Sequence, residues 1–173
     1  MSASQDNSAF SALKLIGSGQ AFRSELCAML ETTQMFRDFE WHDIEVLSGY
    51  MQAYEADKGV TLFREGENGT YLCLIIKGKV DIIKGDQHDK EKVFTSIGPG
   101  KTLGEMAIID GEPRSATAIV AEPTTLAILT KANFHRIINE KPGLATNILL
   151  KVARLLSQRL RHTSGQLVDY LES

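Results

Sequence analysis

The sequence predicts an α+β protein: an antiparallel barrel or jelly roll of short strands, flanked by N-terminal helices and a long C-terminal helix. Three observations carry that expectation. Nine of the fourteen glycines fall between Gly59 and Gly111, where they punctuate short β-type runs. On the N-terminal side, apolar residues recur at the three- and four-residue steps of a helix. From Pro142 onward, a single apolar stripe continues at the same steps with one irregularity.

The chain of 173 residues suits one domain with an appended arm. Residues 1–20 are rich in Ser, Ala, Gly and Asn around a short Leu13-Lys14-Leu15-Ile16 patch, and are expected to form a flexible N-terminal arm, with a docking segment as the alternative. Residues 21–173 are expected to form a single domain, with helices over 21–50, the β-roll over 51–130 and helices over 131–173.

Phe22, Leu26, Met29, Leu30, Met35, Phe36 and Phe39, then Ile44, Val46 and Leu47, predict two or three short helices that break near Glu31-Thr32-Thr33. Strand runs follow at Thr61–Phe63, Tyr71–Ile76, Lys79–Ile83, Val93–Ile97, Ser115–Val120 and Thr125–Leu129, with Lys84-Gly85-Asp86-Gln87 as a hairpin connection. Many short strands at close spacing read as a barrel or jelly roll. Helix returns from Lys131 to about Asn139 and again from Pro142, a residue whose missing N–H has no partner in a first helical turn. In this last helix, some 30 residues and about 45 Å long, Leu149, Val152, Leu156, Leu160, Thr163, Leu167 and Tyr170 share one stripe. A stripe of that length on a small barrel needs cover, and a homodimer through this helix supplies it.

Composition narrows the function. Nineteen basic against twenty-two acidic residues give a net charge of −3, which offers no general attraction to nucleic acid. No apolar run reaches the roughly 18 residues of a spanning helix, and Met1-Ser2-Ala3-Ser4-Gln5-Asp6 lacks the basic and apolar regions of a secretory signal. Cys27 and Cys73 are too few for a disulfide framework or a zinc site. The expectation is a cytoplasmic protein with no membrane partner and no metal. None of His42, His88, His135 and His162 sits in a metal or nucleophile constellation, so no enzyme activity and no cofactor is expected.

The segment Leu103-Gly104-Glu105-Met106-Ala107-Ile108-Ile109-Asp110-Gly111-Glu112-Pro113-Arg114-Ser115-Ala116-Thr117 carries the chemistry. Gly104 lets a ligand approach the backbone, and the N–H groups after it favour an anion. Arg114 presents a fork suited to phosphate oxygens, with the Ser115 hydroxyl beside it. Glu105, an acceptor when ionised, suits a sugar hydroxyl. Two readings follow from the residues alone: an acid and a base that together read ribose and phosphate, or a Glu105–Arg114 pair that only braces the loop.

This cassette resembles the phosphate-binding cassette of cyclic nucleotide-binding domains, whose common form is Gly-Glu, a short helix and Arg-(Ser/Ala/Thr)-Ala. Lys58 to Tyr71, closing with Ile76-Lys77-Gly78-Lys79-Val80, resembles the glycine-punctuated first half of the same β-roll. The resemblance covers roughly Phe36 to Tyr170. It implies an antiparallel, jelly-roll-like β-roll flanked by helices and holding one cyclic nucleotide per protomer, with Gly104 and the backbone at Met106 and Ala107 on the cyclic phosphate. Arg114 would neutralise that phosphate beside Ser115 and Ala116, and Glu105 would take the ribose 2′-hydroxyl. Phe94, Ile97 and Leu103 are the weaker candidates for the apolar walls, each also readable as plain core.

Gln158-Arg159-Leu160-Arg161-His162-Thr163-Ser164 further resembles the dimer helix of the bacterial catabolite activator branch, where a Thr-Ser pair meets adenine. By that likeness Thr163 and Ser164 would read the purine, Ser164 across the dimer, and Arg159 would line the same site. A polar Thr163 on an apolar stripe also reads as a register-setting residue. Nine residues after Ser164 leave no room for the branch's DNA-binding domain, so direct DNA binding is not expected. The reading is a cytoplasmic receptor for cyclic AMP whose output passes to an effector protein. The alternatives are a cyclic GMP module and a ligand-free dimerisation scaffold.

Overall fold

The computed structural model of the chain describes residues 10–17, 20–85 and 91–171. Two compact units divide it, Met1–Phe134 and His135–Ser173.

In the first unit, helices α1 (Gln20–Glu31) and α2 (Trp41–Ser48) precede most of the strands. Their apolar spacing buries Leu26, Leu30, Ile44 and Leu47. α1 ends where Thr32 and Thr33 turn their hydroxyls back onto the carbonyls of Met29 and Leu30, at 2.7 and 2.6 Å, satisfying acceptors that a helix end leaves open. Arg23 does the same for α2, donating through Nε and Nη2 to the Glu45 carbonyl at 3.0 and 2.7 Å.

Strands β1 (Lys14–Gly17), β2 (Gln52–Ala56), β3 (Thr61–Phe63), β4 (Tyr71–Gly85), β5 (Glu91–Ile97), β6 (Thr102–Leu103) and β7 (Thr117–Thr130) form one antiparallel sheet. The order is β1-β2-β7-β4-β5, with β3 also on β7 and β6 also on β4. Two long strands, β4 and β7, are the spine. Their register shifts three times between Ile75 and Val80, opposite the stretch from Val120 to Leu126. Thr124 grips this bend, its Oγ1 accepting from Lys79 N at 3.1 Å and donating to the Glu122 carbonyl at 2.6 Å. Pro123, which cannot donate to a ladder, sits in the same corner. Bulges of this kind bend a strand and let a sheet curl into a roll. Tyr71, Cys73, Ile75 and Val80 of β4 meet Ala118, Val120, Leu126 and Ile128 of β7 in the core inside it.

The predicted runs Tyr71–Ile76 and Lys79–Ile83 are thus one bent strand, as are the two C-terminal runs, although β7 begins at Thr117 and not at Ser115. β2 and β6 were not anticipated: β2 turns two small alanines inward, and β6 has only two residues, so neither leaves a strong apolar signal. β1 corrects the expectation of a flexible arm over residues 1–20. Residues 14–17 pair with β2, and residues 1–9 of the arm lie outside the described residues. Asp86 and Gln87 of the expected hairpin connection also lie outside them; Gly85 pairs with Glu91 as β4 ends and β5 begins.

Helix α4 (Lys131–Glu140) spans the division between the units, and Thr130 Oγ1 accepts from Asn133 N at 3.2 Å at its start. In the second unit, α5 (Pro142–Leu171) is a helix of 30 residues. Leu144, Ala145, Ile148 and Val152 mark its buried face, whereas Leu160, Leu167 and Leu171 are 68%, 57% and 74% exposed. Among the described residues no helix is long and apolar enough to cross a membrane.

Candidate functional site

The site grows from the short connection between β6 and β7. Gly104 follows β6 with φ 77° and ψ 6°, a left-handed conformation that favours glycine, and opens helix α3 (Glu105–Ile109). One turn of helix then sorts its residues. Glu105, Ala107 and Ile108 turn inward and are buried, while Met106 and Ile109 face outward. The Asp110 N–H closes α3 on the Met106 carbonyl at 2.9 Å, and the chain runs through Gly111-Glu112-Pro113 to Arg114.

Arg114 is held at its backbone and at both tips of its guanidinium fork. Its backbone exchanges two hydrogen bonds with the turn after β3: Arg114 N to the Glu67 carbonyl at 2.8 Å, and Gly66 N to the Arg114 carbonyl at 2.9 Å. The side chain is 4% exposed. Nη1 donates to the Gly104 carbonyl at 2.8 Å and Nη2 to the Tyr71 carbonyl at 2.6 Å. The guanidinium carbon lies 4.1 Å from the Phe63 ring centre and 4.9 Å from that of Tyr71, so two aromatic faces offset part of the water it has lost. Arg114 Nε is buried and donates no hydrogen bond.

Two glycines make room for this packing. A Cβ on Gly104 would strike Arg114 Nη1 and come within 3.3 Å of Phe63 Cε1. One on Gly69 would strike Ala107 Cβ and come within 3.3 Å of Arg114 Cζ and Nη1. Backbone and guanidinium therefore pack against each other with no room for a side chain at either glycine.

Burial pulls the pKa of Arg114 down from its ordinary value, against the pull of Tyr71, Cys73, Glu105 and Glu67. The same burial pushes the neighbouring Cys73 thiol up to about 12. The carboxylates of Glu105 and Glu67 act on the guanidinium from nearby and offset part of that desolvation. Both hydrogen bonds of the guanidinium run to backbone carbonyls, and Glu105 acts on it as a nearby charge, so the loop is not held by a simple acid–base pair alone.

Of the residues singled out from the sequence, Gly104, Glu105, Ala107 and Arg114 come together in this cluster. Met106 and Ser115 stand at its edge, with Ser115 Oγ 4.0 Å from Met106 Sδ and the Ser115 carbonyl 3.2 Å from Lys84 Nζ. Ala116 is half-buried between Ser115 and β7. Leu103 is core, paired with Cys73, and Ile97 packs partly buried against the same core. Phe94 stands outside the cluster on β5, 65% exposed. Thr163, Ser164 and Arg159 belong to α5 in the second unit; the first two are exposed and Arg159 is half-buried. On α5 itself a shallow groove of about 390 Å³ runs past Leu150, Ala153, Arg154, Ser157, Gln158 and Arg161.

Sequence reasoning missed Phe63, Tyr71 and Gly69 as members of the site. Their signal lay in the glycine-punctuated segment Phe63 to Tyr71, read only as β-roll scaffold.

A curled antiparallel roll that offers a buried arginine beside a glycine-opened helical turn defines a domain built to bind a small anion. The model of the cyclic nucleotide-binding domain matches residues 54–141, and the chain belongs to that family. A CRP-like cAMP-activated global transcriptional regulator of Mycobacterium tuberculosis is 29% identical over 143 residues, 83% of this chain and 62% of that protein. A cAMP-dependent protein kinase regulatory subunit of Eremothecium gossypii is 34% identical over 119 residues, 67% of this chain and 25% of that protein. The crystal structure of a cyclic nucleotide-binding domain from Methylobacillus flagellatus superposes with a TM-score of 0.80 at 30% identity, covering 92% of this chain and 89% of that one. The chain thus spans about three fifths of the regulator's length and a quarter of the kinase subunit's. It is a cyclic nucleotide-binding domain of the regulatory type found in these proteins.

Proposed function

We propose that this domain is a cytoplasmic cyclic AMP receptor that couples nucleotide binding to rearrangement of α5, the helix through which it forms a homodimer. The observation that carries the reading is Arg114: a desolvated guanidinium held against the carbonyl of Gly104, the residue that opens α3. In this reading the cyclic phosphate lies on Gly104 and the backbone of Met106 and Ala107. Arg114 neutralises it, and Ser115 and Ala116 flank it. Glu105 takes the ribose 2′-hydroxyl. Leu103 and Ile97 stand behind the sugar and base, with Phe94 closing over them from β5.

Thr163 and Ser164 read the adenine, Ser164 from the partner protomer, with Arg159 beside them. Helix geometry supports a dimer role for α5: Leu160, Ser164, Leu167 and Leu171 follow one another at four-, three- and four-residue steps, and all are exposed. Two copies of this stripe cover each other. The cyclic AMP in the names of the regulator and the kinase subunit favours adenine over guanine. No residue is assigned a catalytic role, and no cofactor or metal is required. With a net charge of −3, the domain passes its signal to an effector protein rather than directly to DNA.

Ligand affinity and helix position are reciprocally linked if the purine touches α5 in only one arrangement. Hydrogen exchange tests this: saturating cyclic AMP should raise protection over residues 103–117 and 155–170 together. Thr163→Ala combined with Ser164→Ala should keep the first response and weaken the second. Protection confined to residues 103–117 in the unaltered protein would remove the base-reading roles and leave α5 a dimer clamp only.

A further inference from the structure

We propose that Phe10 is a positioning residue for Arg114, and that the segment from Phe10 to Gly17 is a strap whose docking keeps the arginine's aromatic shelf dry. The Phe10 ring stacks on Tyr54 at 5.5 Å and 28°, and meets Tyr71 edge-on at 4.8 Å and 61°. Tyr71 is the same ring that lies 4.9 Å from the Arg114 guanidinium and 6.4 Å from Phe63, and its carbonyl accepts from Arg114 Nη2. Phe10 and Arg114 therefore share one residue. With Phe10 and Leu13 packed on the roll, Tyr54 and Tyr71 keep only 7% and 3% of their surface exposed.

The strap is lightly held. β1 is an edge strand of four residues whose pairing with β2 slips between Leu15 and Gly17. Its ion pair among the described residues, Lys14–Glu55 at 3.3 Å, is exposed. Short edge elements of this kind open at the low-stability end of a fold. When the strap lifts, water reaches Tyr54 and Tyr71. Both the cation–ring contact and the Tyr71 carbonyl bond weaken, because each is stronger where water is excluded.

The effect on affinity rests on the receptor reading, whereas the effect on Arg114 does not. In the nucleotide-free protein, the Arg114 Nε–H can be followed by proton–nitrogen NMR and assigned by its loss in Arg114→Lys. Phe10→Ala should speed its solvent exchange about tenfold or more, and Phe10→Tyr, which keeps the ring, should restore it. Phe39→Ala, which removes the separate Phe36–Phe39 contact, should leave it unchanged. Should Phe10→Ala fail to fold, Phe10→Leu replaces it with the same expectation. In the same variants, release of a fluorescent cyclic AMP should quicken roughly three- to tenfold, the scale of one aromatic contact. Unchanged Nε–H exchange on loss of the Phe10 ring would overturn the proposal. A protein that takes up no nucleotide would overturn the receptor reading instead, and the strap would still be judged on Arg114.

Discussion

Tyr71 holds Arg114 twice, accepting from Nη2 with its carbonyl at 2.6 Å and presenting its ring 4.9 Å from the guanidinium. Tyr71 opens β4, the spine of the roll, and pairs there with Thr130, so the site's cation is anchored where the two long strands meet at one end of their ladder. The carbonyl of Gly104 anchors it from the other side, and through Gly104 the start of α3. Loss of the arginine is felt by both.

Arg114→Ala leaves the Gly104 and Tyr71 carbonyls without their donor, each worth about 1 kcal/mol or more when buried. Thermal or denaturant unfolding should register a loss of roughly 2–4 kcal/mol, partly compensated by water entering the gap. Arg114→Lys, which keeps the charge but not the fork, should fall between the two. Equal stability of all three would mean that the buried guanidinium does not brace the site.

Gly104→Ala faces two penalties at once. The left-handed backbone at φ 77° costs about 1 kcal/mol for a residue with a side chain, and the new methyl strikes Arg114 Nη1. Gly111, also at positive φ but with open space around it, provides the control. Unfolding should show Gly104→Ala clearly worse than Gly111→Ala, and nucleotide binding should fall only in the first. A matched loss would trace the effect to backbone strain alone.

How much of this was readable in advance differs by element. The helices broke near Glu31 and resumed at Lys131 and Pro142 because apolar spacing and a first-turn proline are local signals. β1 and β2 were missed because Leu15 is half exposed and β2 hides alanines, so neither advertises a core face; only their pairing makes them strands. At the site, Gly104, Glu105 and Arg114 stood out by their order along one loop and by its resemblance to a phosphate-binding cassette, and the structure gathers them in one cluster. Phe63 and Tyr71 were not, because contact with Arg114 spans 51 and 43 residues and depends on how β3 and β4 close against the cassette.

Alkaline pH should loosen the roll through Cys73. Burial raises its folded-state pKa from 9.0 to about 12, so its contribution to stability is complete below about pH 9 and is lost as the pH climbs toward 12. The expected slope from this group is about 1 kcal/mol per pH unit within that window. Cys73→Ala, although less stable overall, should unfold with a flatter pH dependence between pH 9 and 11. An unchanged slope would assign the alkaline loss to other groups, Tyr71 first among them, since burial raises its pKa as well.

The exposed stripe of α5 should set the oligomeric state. Leu160→Asp places a charge in the middle of that stripe, where Leu160 is 68% exposed in the single chain. Light scattering should find the unaltered protein as a dimer and this variant shifted to monomer at micromolar concentration. Indifference of the mass to the substitution would place the self-contact elsewhere or remove it.

Isothermal calorimetry with cyclic AMP and cyclic GMP, run on the unaltered protein and on Arg114→Ala, tests the receptor reading most directly. Cyclic AMP has about 22 non-hydrogen atoms, and roughly 0.3–0.4 kcal/mol per atom places binding near −7 to −9 kcal/mol, a micromolar Kd or somewhat tighter. The unaltered protein should bind one cyclic AMP per protomer in that range, with cyclic GMP weaker and Arg114→Ala at least about tenfold weaker for cyclic AMP. Absence of heat with either nucleotide at millimolar concentration, or an Arg114→Ala variant that binds as tightly as the parent, would contradict it.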